Sequence, residues 1–164
     1  MRKIKYTKNI SNSISKGFSL IELIIMLIII GFIAAIAVTR LSDISINVRL
    51  SSAMNQISSD IELVKEIALA RHQSMSITYD LDLNIYTIRK NNIVMNEYPG
   101  SNDGTISLSE GLFSGVNITN VNINGSNRIE FDKWGNALNG GSITLNEEHT
   151  IFIDKLTGFT KTIN

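Results

Sequence analysis

The sequence predicts an α+β fold in which one long N-terminal α-helix packs on a C-terminal antiparallel β-sheet or small β-sandwich. Two observations lead to this prediction. A run of 21 mostly apolar residues extends from Phe18 to Val38, and a helical apolar period continues beyond it to about Arg71. From residue 73 onwards, short alternating segments are separated by turn residues, a pattern typical of antiparallel strands. The 164 residues suit a single domain.

The first half of the helix, residues 18–38, is predicted to cross a membrane. Only Ser19, Glu22 and Gly31 interrupt its apolar character. At 1.5 Å per residue, 21 helical residues span about 30 Å, the thickness of a hydrocarbon core. The preceding segment carries five positive charges and no acid, which places the N-terminus in the cytoplasm and the rest outside. These charges are Arg2, Lys3, Lys5, Lys8 and Lys16.

The second half of the helix, residues 39–72, is predicted to be amphipathic. Its apolar residues recur at alternating spacings of four and three, which defines one face of a helix. Four charged residues fall mainly off this face: Asp60, Glu62, Lys65 and Glu66. We therefore expect this half to bury a single face against the β domain. The apolar face consists of Leu50, Met54, Ile57, Ile61, Val64 and Ala68.

The β domain is predicted to span residues 73–164. The alternation favours a turn at Asp80–Asp82 between the first two strands. Residues 91–115 show no clear period, and we expect a mobile loop there. The predicted strands are 74–80, 83–90, 105–109, 116–124, 128–132, 142–145 and 150–154.

Composition excludes several classes of function. The chain contains no cysteine, which excludes disulfides, thiol nucleophiles and zinc fingers. Its net charge is zero, but the residues after position 17 comprise 10 basic and 15 acidic ones, so we expect no nucleic-acid surface. Neither a phosphate loop nor a G-x-S-x-G motif is present. We therefore predict that the protein is not an enzyme and has no cofactor.

No metal site is predicted. His72 and His149 are far apart and are expected at the surface or at its boundary. The stretch Asp80–Asn84 begins like a calcium loop, but Ile85 stands where that loop needs glycine and Asn91 where it needs glutamate. A turn capped by acids is the better interpretation. Trp134, between strands, is expected to be a partly buried packing residue or a contact with another subunit.

Three interpretations compete for residues 1–40. An ordinary signal peptide would use Ala35–Ala37 as its cleavage site. A plain membrane anchor gives the Glu22 carboxylate no role, although its insertion into the membrane costs free energy. The third rests on the sequence "KGFSLIEL" at 16–23 before a long apolar helix, which resembles the leader of type IV pilins and type II secretion pseudopilins. That resemblance implies cleavage by a prepilin peptidase between Gly17 and Phe18 and N-methylation of Phe18.

The resemblance gives Glu22 a role in assembly. After cleavage, Phe18 would carry an ammonium group in apolar surroundings, where an unpaired charge costs several kcal/mol. The carboxylate of Glu22 could neutralise Phe18 of a neighbouring subunit, which would favour one axial register. The same pair could instead form within one chain, one helical turn apart. At Thr39 this sequence departs from the family, which often has a proline there.

The C-terminal half resembles the FimT/GspH family of minor pseudopilins and pilins. The resemblance implies a strand ending at Phe131–Asp132 with Gly135 after it, then a hairpin, then a final strand pair turning at Thr157–Gly158. It implies a low-copy subunit of a helical filament anchored in the inner membrane, with a periplasmic β domain. The partners implied are other pseudopilins or pilins, the prepilin peptidase and the inner-membrane platform of a secretion system.

The first functional prediction is therefore a minor pseudopilin of type II secretion, acting in filament assembly and protein export. The alternative is a minor type IV pilin or a competence pseudopilin in DNA uptake. A second alternative, from another class, is a secreted or anchored β binding domain with an ordinary signal peptide.

Overall fold

The computed structural model describes residues 17–101 and 103–163, with the side chains of all of these except 37–44. The predicted leader, residues 1–17, therefore lies outside the described residues except for Gly17. The chain divides into two compact units between Leu41 and Ser42. The domain boundaries predicted at 17, 38 and 72 stay predictions.

One helix, α1 (Leu20–Arg71), occupies 52 residues. It begins two residues later than predicted and ends where the apolar period ends. Its C-terminus is capped by His72, whose φ of 50° is left-handed, and the Gln73 N–H donates to the carbonyl of Ala68. A left-handed residue of this kind turns the chain out of the helix and satisfies a terminal carbonyl.

The β domain consists of two antiparallel sheets, which confirms the predicted α+β fold. The strands are β1 (Met75–Asp80), β2 (Ile85–Lys90), β3 (Ile93–Val94), β4 (Thr105–Ser107), β5 (Ile118–Ile123), β6 (Arg128–Phe131), β7 (Gly141–Leu145), β8 (His149–Ile153) and β9 (Thr160–Ile163). The first sheet has the order β3-β2-β1-β6, with β4 also paired to β2, and the second has the order β5-β7-β8-β9. A short 3-10 helix, Gly111–Phe113, lies between β4 and β5.

One hydrophobic core joins α1 to both sheets. All six residues of the predicted apolar face are buried in it. The strands contribute alternate residues, for example Ile77 and Tyr79 from β1 and Ile143 and Leu145 from β7. The period of 3.6 in the helix and of 2 in the strands thus places both apolar faces in one interior.

The loop predicted over 91–115 was wrong in part. The strands β3 and β4 both pair with β2, and Met95, Tyr98 and Leu108 are buried in the core. β4 lies within the strand predicted at 105–109, whereas β3, with two residues, is too short for an alternating pattern to be visible in sequence.

Candidate assembly site

Gly17, Phe18 and Ser19 lead into the first turn of α1. The Leu23 N–H donates to the carbonyl of Ser19 across 3.1 Å, and Glu22 lies in this first turn. The N-terminal end of a helix carries a partial positive charge, which favours a carboxylate there. The Glu22 side chain is exposed and makes no hydrogen bond or ion pair to any described residue.

The residues that follow form a helical segment that is apolar on all sides. Phe18 is 70% exposed, and every large apolar side chain from Leu20 to Ile36 is at least 42% exposed. A helix that is apolar all round is typical of segments that another apolar phase or other helices surround. The predicted span ends at Val38, whose side chain lies outside the described ones.

The helical residues that the structure describes include no stretch that is both long and apolar enough to span a membrane.

A buried carboxylate lies on the second half of α1. Asp60 is 3% exposed and accepts hydrogen bonds from the hydroxyls of Tyr86 and Tyr98, the latter across 2.7 Å. The side-chain amide of Gln56, one turn earlier, donates to both carboxylate oxygens across 3.0 and 3.1 Å. From the sequence pattern, Asp60 was expected mainly off the apolar face, and its hydrogen-bond partners were not predicted. The cluster ties β2 and the segment around Tyr98 to the helix.

The tyrosines of this cluster strongly favour their neutral form. Burial, the largest cause, raises the pKa of Tyr79, Tyr86 and Tyr98 well above the usual value, and the negative charge of Asp60 raises it further. The rings of Tyr79 and Tyr86 lie 5.7 Å apart between centroids. The Tyr79 hydroxyl is buried and has no hydrogen-bond partner among the described residues.

A second buried polar residue joins the two sheets. Asn84, in the β1–β2 turn, has a left-handed φ of 55°. Its side-chain amide donates to the carbonyl of Val116 across 2.7 Å, and its side-chain oxygen accepts from the Ile118 N–H across 2.8 Å. This side chain therefore fixes the start of β5 against the first sheet. The turn predicted at 80–82 is confirmed, since Asp80 accepts from the Leu83 N–H.

The residues on which the C-terminal resemblance rests lie at the end of β6, in the loop after it and in the turn between β8 and β9. β6 ends at Phe131, as predicted, and the chain then passes to the β7–β8 hairpin of the second sheet. Asp132 accepts hydrogen bonds from the backbone of Trp134 and from the backbone and side chain of Asn136. β8 and β9 pair on either side of a turn that contains Thr157 and Gly158, which confirms the final strand pair.

The remaining candidate residues lie at the surface. His72 is exposed and His149 partly so, as predicted. Trp134 is 57% exposed, so the expectation of a partly buried packing residue was wrong; its ring meets the ring of His72 edge-on at 5.3 Å. Among the side chains that the structure describes, no group of three or more His, Asp or Glu residues could hold a metal ion.

A long helix whose second half packs on two antiparallel sheets defines a pilin-like α+β fold. The family model of the type II transport protein GspH matches residues 53–156. The chain belongs to this family. The match covers more than half of the sequence and includes the end of the amphipathic helix and the strands β1 to β8, whereas β9 lies beyond it.

The fold is also found in a solved structure. The chain is similar to the minor pseudopilin EpsH from the type 2 secretion system of Vibrio cholerae, with a TM-score of 0.51 and 11% sequence identity. The match covers 70% of this chain and 96% of EpsH. No curated protein matches the chain by sequence.

Proposed function

We propose that this protein is a minor pseudopilin of a type II secretion system, a low-copy subunit that takes part in pseudopilus assembly and protein export. Its membership of the GspH family and its fold support this proposal. One observation carries it: a single carboxylate, Glu22, lies in the first turn of an exposed apolar helix, four residues after Phe18.

The proposed maturation creates the charge that Glu22 is needed to balance. Cleavage after Gly17 leaves an ammonium group on Phe18, which a prepilin peptidase then methylates. Within an apolar bundle, the ammonium and the carboxylate each cost several kcal/mol when unpaired. Pairing Glu22 of one subunit with Phe18 of the next removes both costs only at one axial offset. The carboxylate of Glu22 is exposed and has no partner among the residues that the structure describes, which supports a partner supplied by another chain.

The same proposal assigns a location. Residues 18–38 insert into the inner membrane as a single span, with the N-terminus in the cytoplasm and the β domain in the periplasm. The five positive charges before Phe18 support this orientation. The inner-membrane platform of the secretion system would then receive the subunit, and other pseudopilins would be its filament neighbours. The role is structural and requires neither a cofactor nor catalysis.

The test is incorporation of the Glu22→Ala variant into the filament. In cells that carry the complete secretion system, we expect leader cleavage to continue while crosslinking to other pseudopilins and export both fall by about tenfold or more. Glu66→Ala, which removes an exposed carboxylate from the amphipathic half, is the matched control and should assemble normally. Normal incorporation of Glu22→Ala would contradict the proposal.

A further inference from the structure

Three large apolar side chains stand exposed around the C-terminal end of α1. Leu69 is 52% exposed, Trp134 57% and Phe159 60%. They come from the helix, from the loop after β6 and from the turn before β9. We call the surface formed by these three residues, with Lys65 and Lys133, the aromatic surface. Exposed apolar patches of this kind commonly mark sites of protein–protein contact.

The aromatic surface is held by two loops packed on the helix. Gly135 has a φ of 76°, and a Cβ there would lie 3.1 Å from the Lys65 carbonyl oxygen and 3.3 Å from Cβ of Leu69. Gly158, with a φ of 68°, is similarly close to Phe131. Only glycine allows both the left-handed backbone and this close approach. Trp134 and Phe159, each next to one of these glycines, are thus presented on fixed backbone.

The two lysines of the aromatic surface both lie near aromatic rings but differ in their ion pairs. Lys65 Nζ lies 4.1 Å from the centroid of the Phe159 ring, and Lys133 Nζ lies 5.3 Å from that of Trp134. Lys65 also forms an ion pair with Glu62 across 3.2 Å, in which the two side chains are 20% and 41% exposed. Lys133 has no ion pair with any described carboxylate.

Two acids in the loops that carry Trp134 and Phe159 accept hydrogen bonds within those loops. Partial desolvation disfavours ionised Asp132, but hydrogen bonds from Asn136 and from the backbone of Trp134, together with the positive charge of Lys133, outweigh it and lower the pKa of Asp132. Hydrogen bonds from the Thr157 side chain and backbone lower the pKa of Asp154. Both carboxylates therefore accept hydrogen bonds from their own turns, while the two ammonium groups lie over exposed rings.

We infer that the aromatic surface docks a different subunit of the same filament, one that presents Asp or Glu side chains around an exposed apolar residue. The apolar residue would cover Trp134 and Phe159, and the carboxylates would pair with Lys65 and Lys133. This inference rests on the proposed function, since it names the partner of a pseudopilin.

Two other occupants fit the charges less well. A symmetric contact with a second copy would bring the same lysines face to face. A nucleic acid requires a continuous track of cations, whereas Asp132 and Asp154 lie in the loops that carry this surface and the residues after position 17 are acidic overall.

Photo-crosslinking of the full chain in cells with the complete secretion system tests the inference. Phe159→benzoylphenylalanine should crosslink to another pseudopilin, identified with antibodies against each one. Leu83→benzoylphenylalanine, at a side chain 63% exposed in the β1–β2 turn, is the control and should not give this product. Adding Lys65→Glu and Lys133→Glu should reduce the product by about tenfold. Adding Lys90→Glu instead should leave it unchanged.

The outcomes separate this inference from the proposed function. Suppose that the leader is cleaved and the subunit is incorporated. If position 159 then gives no crosslink, or gives a crosslink that the lysine variants do not reduce, the inference is wrong and the proposed function stands. Crosslinking only to a second copy, or binding of a 30-nucleotide oligothymidine that the lysine variants abolish, would also overturn it. If the subunit is neither cleaved nor incorporated, the proposed function fails and the inference with it.

Discussion

The hydroxyl of Tyr98 donates a hydrogen bond to Oδ1 of Asp60 across 2.7 Å, although the two residues lie 38 positions apart in the chain. Asp60 belongs to α1, and Tyr98 belongs to the segment between β3 and β4. Both residues are buried. The bond therefore holds an otherwise irregular segment against the helix.

Tyr98→Phe should destabilise the protein by about 1.5–3 kcal/mol, because it removes a hydrogen bond to a charged group and leaves part of a buried carboxylate unsatisfied. Urea unfolding of the full chain in detergent, followed by circular dichroism, measures this loss. Tyr79→Phe is the matched control, since the Tyr79 hydroxyl has no partner among the described residues. It should leave stability unchanged or slightly higher. Equal losses in both variants would show that the Asp60 bond contributes nothing specific.

Stability should fall at alkaline pH. Burial and Asp60 raise the pKa of Tyr79, Tyr86 and Tyr98, so the folded state keeps three protons that the unfolded state loses above about pH 10. The free energy of unfolding then decreases with pH, by about 1.4 kcal/mol per pH unit for each tyrosine. Urea unfolding between pH 8 and 11 measures the slope, which Tyr98→Phe should reduce by about one third. A flat profile above pH 10 would contradict this assignment.

Asn84→Ala should cost about 2–4 kcal/mol. It removes the hydrogen bonds to Val116 and Ile118. It also places alanine at a left-handed φ of 55°, where its Cβ is unfavourable and its side chain cannot form the hydrogen bonds that asparagine forms there. Asn84→Gly also loses the bonds but tolerates the backbone, so it should be about 1 kcal/mol more stable than Asn84→Ala. Thermal unfolding of the two variants separates these effects. If Asn84→Gly matches the wild type, the side chain does not join the sheets.

The sequence predicted those parts of the fold that depend on local periodicity. The face from Leu50 to Ala68 is visible because one helix repeats its apolar residues regularly, and all of it is buried. The burial of Asp60 could not be predicted in this way, because its partners Tyr86 and Tyr98 come from elements distant in sequence. The exposure of Trp134 was also not predicted, because an aromatic residue between two strands is more often packed against the protein than exposed at its surface.

The candidate assembly site depended on a different kind of signal. Glu22 stands out because a carboxylate interrupts a long apolar run, a contrast that needs no structure. Its proposed partner, the Phe18 ammonium of another subunit, would exist only after the proposed cleavage and assembly. Its neighbour therefore cannot be deduced from the fold of one chain, however complete that fold is.

The N-terminal mass of the native protein tests the central proposal most directly. Mass spectrometry of the full-length gene product, purified from membranes of cells with the secretion system, should find a chain that begins at Phe18 with one methyl group on its amine. Replacing Gly17 by a bulky residue, as in Gly17→Trp, should leave the leader attached and serves as the control. A native chain that begins at Met1 or at Val38, with or without export activity, would contradict the account.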